Sequence, residues 1–443
     1  MNTRVRNRQA GVTLYIVAGL LVIVLAVSAL AIDLVSFYVG RNEAQRAADA
    51  GALAGAQLFA VQGCTNGTGG CVAGGPQEAL ARTQAVTMAS QNPVFGQAPS
   101  SGTVTTTFSY PTPMEPQITC TVHRDSASGN AIPTMFAKVF GVTTVDVSAS
   151  ATAEAFNPSG SNVSVGTQCL KPFLVPNCDP SHLVAGTSPV ANTACPTASN
   201  VACTSASTNC QSYFFYPAGA VNPGAIVNPG NYNASNPAAG GVVGAPWALH
   251  TQAVPSQWYL LGYTGNSGAQ LRAFLSSCAP SIIACHATLN TAVGQKVGPT
   301  DQGVNAFINA NGDGLNQGQD SICSPTSSPA CATPPFPITG GANNPNPNLV
   351  GQTFFGGGSP SLASVAVFSG LDINGQPLQP GGSTVTVLGY MTMFFTQANH
   401  TGNDDEIDGV ILSIGGCGTT NNSGGPPIIS TGGSPIPIRL IHQ

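Results

Sequence analysis

The chain has 443 residues, 42% of them hydrophobic, which is long enough for two or three domains and apolar enough to bury a sizeable core, so full disorder is excluded. Only 7% are charged, against roughly 25% in an ordinary soluble domain, and 53 Gly with 35 Pro make it rich in chain-breaking residues; this is not the surface of a typical cytoplasmic enzyme. The net charge of −5 divides unevenly, with five Arg and three acids in residues 1–60 and seven Lys/Arg and fourteen acids beyond, so nucleic-acid binding has no electrostatic footprint.

Arg4, Arg6 and Arg8 precede an uncharged stretch over residues 11–32. At 1.5 Å rise per residue that stretch is about 33 Å long, enough to cross a hydrocarbon core of about 30 Å. It predicts one membrane-spanning helix, and with no acid before Asp33 the positive-inside rule places the N-terminus in the cytoplasm and everything after about residue 40 outside. A cleaved secretory signal is the rival reading, because Ala29-Leu30-Ala31 has the small-x-small form of a signal-peptidase site. Against it, the apolar run is longer than a signal core of roughly 7 to 15 residues. The helical pattern also continues to Val61 with no Pro and only Gly40, Gly51 and Gly55. Within that continuation Ala44, Ala48, Ala52 and Ala56 recur at i, i+4, a ridge of small residues that lets another helix approach closely. A homo-oligomer through the stem is one expectation from it; a surface helix that uses Ala as the best helix former is the plainer one.

The segment AIDLVSFYVGRNEAQRAADAGALAGA, residues 31–56, resembles the N-terminal segment of TadE/TadG-like proteins associated with Tad (Flp) pilus assembly: an apolar anchor, an Asp, an aromatic, an Arg, then a Gln and an AADA-type run. A second segment, AIPTMFAKVFGVTTVDVSASATAEA, residues 131–155, resembles the end of the same module. The resemblance implies a bacterial, membrane-anchored role in or beside a surface-appendage system, with pilus-assembly or envelope proteins as partners. Two departures bound it. A pilin-type peptidase site at Gly11 would require Glu at the fifth following position, which is Ile16, so processing as a filament subunit is not expected. The nearest segment to a von Willebrand-type metal site, Asp125-Ser126-Ala127-Ser128-Gly129, has Ala127 and Gly129 where serines are required, so no such site is expected.

Further along, Pro76 suits a first helical position, Ala81, Ala85, Met88 and Ala89 form one face, and Asn92-Pro93 stops the helix. Strands follow at residues 103–110, through the alternating Ile118, Cys120 and Val122, and through Val145, Val147, Ala149, Ala151 and Ala153; a short helix over 133–140 ends at Gly141. From residue 157 short apolar segments separated by Pro, Gly, Asn and Ser predict a loop-rich, mainly β domain. Its clearest strands are 257–263, 363–369, 384–397 and 408–414, with short helices over 269–277 and 302–310 and an edge strand or loose tail over 424–443. The fold class expected is therefore α+β. A transmembrane stem (1–60) sits on a small α+β module (61–156), and a disulfide-stabilised, mainly β extracytoplasmic domain (157–443) follows.

Thirteen cysteines, none in the apolar stretch, fit an oxidising compartment. Cys64/Cys71, Cys203/Cys210, Cys278/Cys285, Cys323/Cys331 and Cys169/Cys178 are spaced for local disulfides, Cys195 has Cys203 as an alternative partner, and Cys120 and Cys417 have no local partner. One thiol must stay free or pair between chains. Zinc ligation prefers closer pairs, such as Cys-x-x-Cys, which the chain lacks.

Catalytic signatures are missing: there is no Gly-x-Ser-x-Gly elbow, no Gly-Lys-Ser/Thr phosphate loop and no His-Glu-x-x-His. No enzyme activity and no cofactor are expected. Asn309, Asn311, Asp313 and Asp320 occupy positions 1, 3, 5 and 12 of a loop with Gly314 at 6, a weak match to a calcium loop with an Asn/Gly turn as the alternative. The acidic run 403–408 reads as a solvated hairpin turn. The functional expectation is a scaffolding protein of the bacterial inner membrane, single-pass, acting by packing. The alternatives are a secreted or anchored hydrolase with a site assembled from distant residues, and a calcium-stabilised adhesin.

Overall fold

The computed structural model describes residues 6–66, 71–112, 114–160, 165–178, 213–216, 224–227, 230–237, 240–250, 267–277, 282–292, 296–376, 378, 382–401, 404–418, 428–430, 434 and 436–441. A single helix, α1 (Arg6–Val61), opens the chain and runs for 56 residues, as the absence of Pro predicts. It stops at Gly63, whose φ of 75° only glycine adopts without strain and which lies so close to the Leu412 carbonyl that a side chain would not fit. A second helix, α2 (Pro76–Ser90), starts at its proline, buries Ala81, Ala85 and Ala89, and ends before Pro93.

Strands β1 (Val104–Ser109) and β2 (Gln117–Arg124) pair antiparallel, and β2 buries Ile118, Cys120 and Val122 as their alternation predicts. Strands β3 (Ile132–Pro133) and β4 (Thr144–Val145) form a small ladder around a 3-10 turn, Ala137–Phe140, which Gly141 closes at φ 86°. Strand β5 (Val147–Ala155) pairs with β2. Helices α1 and α2 cover one face of this sheet, where their alanines meet Ile118, Val122, Ala149, Ala151 and Ala153 in one core. The opposite face carries a polar ladder: Thr119 to Thr152 at 2.8 Å and Thr121 to Ser150 at 2.9 Å.

The remainder follows in chain order as β6 (Val165–Thr167), β7 (Leu174–Pro176), β8 (Pro246–His250), α3 (Gly268–Ser276), β9 (Ile283–Ala284), β10 (Thr288–Asn290), α4 (Val297–Phe307), β11 (Ser321–Ile322), β12 (Ile338–Thr339), β13 (Thr353–Phe354), β14 (Leu362–Phe368), β15 (Thr384–Thr401), β16 (Asp404–Gly416), β17 (Ile428–Ser430) and β18 (Ile438–Ile441). Its main sheet runs β7-β14-β15-β16-β8, with β10 also paired to β15. Smaller sheets are β11-β12-β13 and β17-β6-β9. On one face of the main sheet α3 and α4 bring Leu275, Val304 and Ile308 against Val365, Met391 and Phe395. On the other, Phe336 and Ile338 meet Phe394 and Leu412. Covered on both faces, β14 is buried at every residue, which is why it reads as a continuous apolar run rather than an alternating one.

The acidic run lies within the hairpin rather than at its tip alone, since Glu406 and Asp408 stand in register with Asn399 and Gln397. Helix α4 begins five residues before the sequence signal at 302, and α3 starts at a capping box of Ser267 and Gln270. The strand expected over 257–263 lies outside the described residues. The described part of the tail holds two edge strands: β17 pairs parallel with β6, while β18 crosses the domain boundary set at residue 156 and pairs antiparallel with β5, so the N-terminal sheet is completed from far along the sequence in the order β1-β2-β5-β18.

Disulfides join Cys64 to Cys71 and Cys323 to Cys331, as their spacing predicts. One pairing is corrected. Cys285 bonds Cys417 across 132 residues, not the nearby Cys278, because its segment β9–β10 packs beside β15 and brings it to the end of β16. Cys169 and Cys178 are each disulfide-bonded. Cys195, Cys203, Cys210 and Cys278 lie outside the described residues. Cys120 is the free thiol among the described cysteines; it is fully buried, and burial pushes its pKa up to about 12.

Candidate functional site

The feature that sets this chain apart is α1, which changes character along its length. From Val12 to Ile32 almost every residue is exposed, with Leu14, Ile23 and Leu30 each at least 60% accessible. The hydroxyls of Ser28 and, a little further on, Ser36 bond back to the carbonyls of Val24 and Ile32, so neither presents an unpaired polar group outward. This half is apolar on all sides and long enough to cross a membrane.

Burial starts at Asp33, which is 1% exposed. Its carboxylate accepts backbone N–H bonds from Met135 (2.8 Å), Phe136 (3.0 Å) and Ala137 (2.6 Å), the entry to the 3-10 turn. Three donors directed at one carboxylate compensate it for lost water. From there one face of α1 is interior through Gly40, Ala44, Ala48, Ala52 and Ala56. Three glycines set the closeness of packing. A Cβ on Gly40 would lie 2.5 Å from Ile132, one on Gly51 2.7 Å from the Cys120 sulfur and 3.0 Å from the Ala85 carbonyl, and one on Gly55 2.5 Å from Ile118.

The alanine ridge therefore has a partner, though not the one expected. Ala44, Ala48, Ala52 and Ala56 are each 0% exposed and belong to the core formed with α2 and the sheet of the same chain. No surface of this ridge is left for a second stem.

The C-terminal end of α1 is built into the larger body. Gln62 accepts from the Phe336 amide at 2.6 Å, Asn66 accepts from the Ile414 amide at 3.1 Å, and Asn157 donates to the carbonyls of Thr65 and Ile414. These buried polar contacts join the end of the stem to the larger body.

Other sequence-predicted positions behave as turns. Asn309 takes a left-handed φ of 57°, and the Asn311 backbone N–H donates to the Gln317 carbonyl at 2.8 Å. Asp313 accepts from the Asn305 amide at 2.9 Å, while Asp320 accepts from the Gly341 amide, the Asn344 side chain and the Ser359 hydroxyl. The two carboxylates are thus engaged by different parts of the chain. Among the described residues no three His, Cys, Asp or Glu side chains cluster as a metal site. Asp125, likewise, closes a turn through the Ser128 amide.

A cleft of about 690 Å³ opens beside the hairpin, lined by Trp247, Gln319, Asp320, Glu406 and Asp408 among others. Gln397 donates to Asp408 there. Sequence reasoning missed Lys171, which is buried and donates to the Leu275 and Ser277 carbonyls at 2.5 and 2.8 Å at the end of α3, with Phe307 4.0 Å from its ammonium. Burial lowers its pKa to about 8. The position serves as a cap for α3. It missed the Asp33 receptor as well, for which the lone acid after an apolar run was the available signal.

No curated protein matches the chain, and no solved structure matches it. Residues 11–58 match the family described as putative Flp pilus-assembly TadE/G-like. The match covers the bare half of α1 and nearly all of its buried half, and ends before the second resembling stretch at 131–155. The N-terminal stem of this protein is thus similar to that family over residues 11–58.

Proposed function

We propose that the chain is a membrane-anchored structural component of Flp-type pilus assembly or of the cell envelope, single-pass in the bacterial inner membrane. Its N-terminus faces the cytoplasm, and its disulfide-bonded body lies outside. It acts by protein–protein packing and not by catalysis. One observation carries this reading: a single unbroken helix is bare and apolar over its first half and forms the core of a folded body over its second. The pilus-assembly match falls on that same helix. Three arginines before the span and disulfides after it support the orientation.

The test is alkaline extraction of host membranes followed by N-terminal sequencing of the protein in each fraction. A protein that resists extraction and keeps Met1 or Asn2 supports a permanent anchor. A mature terminus at Val12 would instead mean pilin-like processing, and one at Ile32 a secreted protein without its anchor. Either would overturn the proposal.

A further inference from the structure

Past Ile32 the outward surface of α1 stays apolar: Leu34, Val35, Tyr38 and Val39 are exposed, and the first charge on this surface is Arg41. Asp33 is the only charged residue between Arg8 and Arg41, and it does not interrupt that surface because the Met135–Ala137 backbone covers it. The cover is itself apolar outward. Met135 is 60% exposed, Phe136 40%, Val139 79%, Phe140 78% and Val142 47%, with Lys138 also exposed among them. Most other large exposed apolar side chains outside α1, such as Val72, Ile282, Leu315 and Ile373, are separated along the chain, whereas these lie on one turn joined to the bare helix.

Most of the turn's backbone N–H groups are paired, as contact with lipid requires. Met135, Phe136 and Ala137 give their N–H groups to Asp33, Val139 to Phe136, Gly141 to Lys138, Val142 to Ala137 and Thr134 to Thr143. A protein segment near hydrocarbon must pair its backbone groups internally, and aromatic side chains beside a lysine are the composition that settles at the headgroup level.

We infer that the 133–142 turn is immersed in the bilayer surface at the C-terminal end of the α1 span, so that the membrane boundary lies between Asp33 and Arg41 rather than at Ile32. Lipid is the occupant because the apolar patch is continuous with the helix surface that lipid already covers. The inference rests on the reading of α1 as a membrane span.

The test reconstitutes the full chain in phosphatidylethanolamine/phosphatidylglycerol liposomes containing a phospholipid with a diazirine in its acyl chain, and maps photoadducts by mass spectrometry. Adducts are expected on peptides from residues 12–39 and from 133–142. In the double variant Val139→Asp/Phe140→Asp the turn adducts should fall at least several-fold while the stem adducts persist. Both side chains are largely exposed, so an unchanged melting temperature checks that the body still folds. Stem adducts without turn adducts would overturn the inference and leave the anchor standing. Absence of both would overturn the anchor and the inference together.

Discussion

Arg439 in the last strand reaches Glu154 in β5 with a nitrogen–oxygen separation of 2.5 Å, 285 residues apart in sequence. Glu154 is nearly buried, its second oxygen accepts from Gln117 at 3.1 Å, and the guanidinium also lies 4.7 Å from the Phe156 ring centre. Replacing Arg439 by Met leaves a buried carboxylate with one donor. Because Arg439 is itself partly exposed, the expected loss is about 1–2 kcal/mol, below that of a fully buried pair. A urea melt of the full chain in detergent measures it, and an unchanged midpoint would deny β18 a role in holding the N-terminal sheet.

The glycines of α1 divide by place. Gly51→Ala puts a methyl group 2.7 Å from the Cys120 sulfur and 3.0 Å from a backbone carbonyl that cannot turn aside. The clash is expected to exceed the roughly 1 kcal/mol gained in helix propensity and to cost about 1–3 kcal/mol overall. Gly19→Ala, where nothing lies within 4 Å, should leave the melting temperature unchanged. Equal responses at the two sites would contradict this packing.

Lys171 sets a pH dependence of definite sign. Its folded pKa of about 8 lies below the ordinary 10.5, so the folded chain releases this proton first. The burial penalty is fully present below pH 8 and is relieved as pH rises from 8 towards 10.5, a gain of about 3 kcal/mol at most. Stability measured across that window in the wild type and in Lys171→Met isolates the contribution: the wild type gains on the variant as pH climbs. A constant difference between them would refute it.

Asp320 accepts from three protein donors, among them Asn344 at 2.9 Å and Ser359 at 2.6 Å. Asp320→Asn turns an NH2 group towards some of those donors and should cost about 1–3 kcal/mol. A saturating chelator should leave the wild-type melt where it was. A chelator-induced drop would instead restore the calcium loop at Asn309, Asn311, Asp313 and Asp320.

Thiol chemistry should follow burial. In the folded protein Cys120 resists an alkylating reagent, since burial keeps it in the unreactive protonated form, and it reacts on denaturation. Non-reducing peptide mapping should recover Cys285 linked to Cys417. A Cys278–Cys285 peptide in its place would remove that assignment.

What was legible in the sequence is what local periodicity controls. The unbroken α1 follows from the absence of Pro; β2 and β5 from alternation; the β15–β16 hairpin from two apolar runs around an acidic turn. Partners at long range were not legible. The i, i+4 alanines show that something packs closely on α1, yet nothing in their spacing distinguishes a second stem from the chain's own sheet. The four residues of β18, just after Pro437, cannot indicate that β5 is their neighbour, and Cys285 had a nearer candidate by count than the one that folding brings to it. Asp33 was visible as an isolated acid, but its receptor is three backbone amides, which carry no side-chain signature.

The position of β18 also fixes an order of events. During synthesis α1, α2, β1, β2 and β5 all emerge with one edge of their sheet open, and the residue that clamps that edge follows 285 positions later. At roughly 5–20 residues per second, the interval is some tens of seconds. Until then β5 offers unpaired backbone groups to any extended segment nearby, the condition under which sheet edges pair with foreign strands.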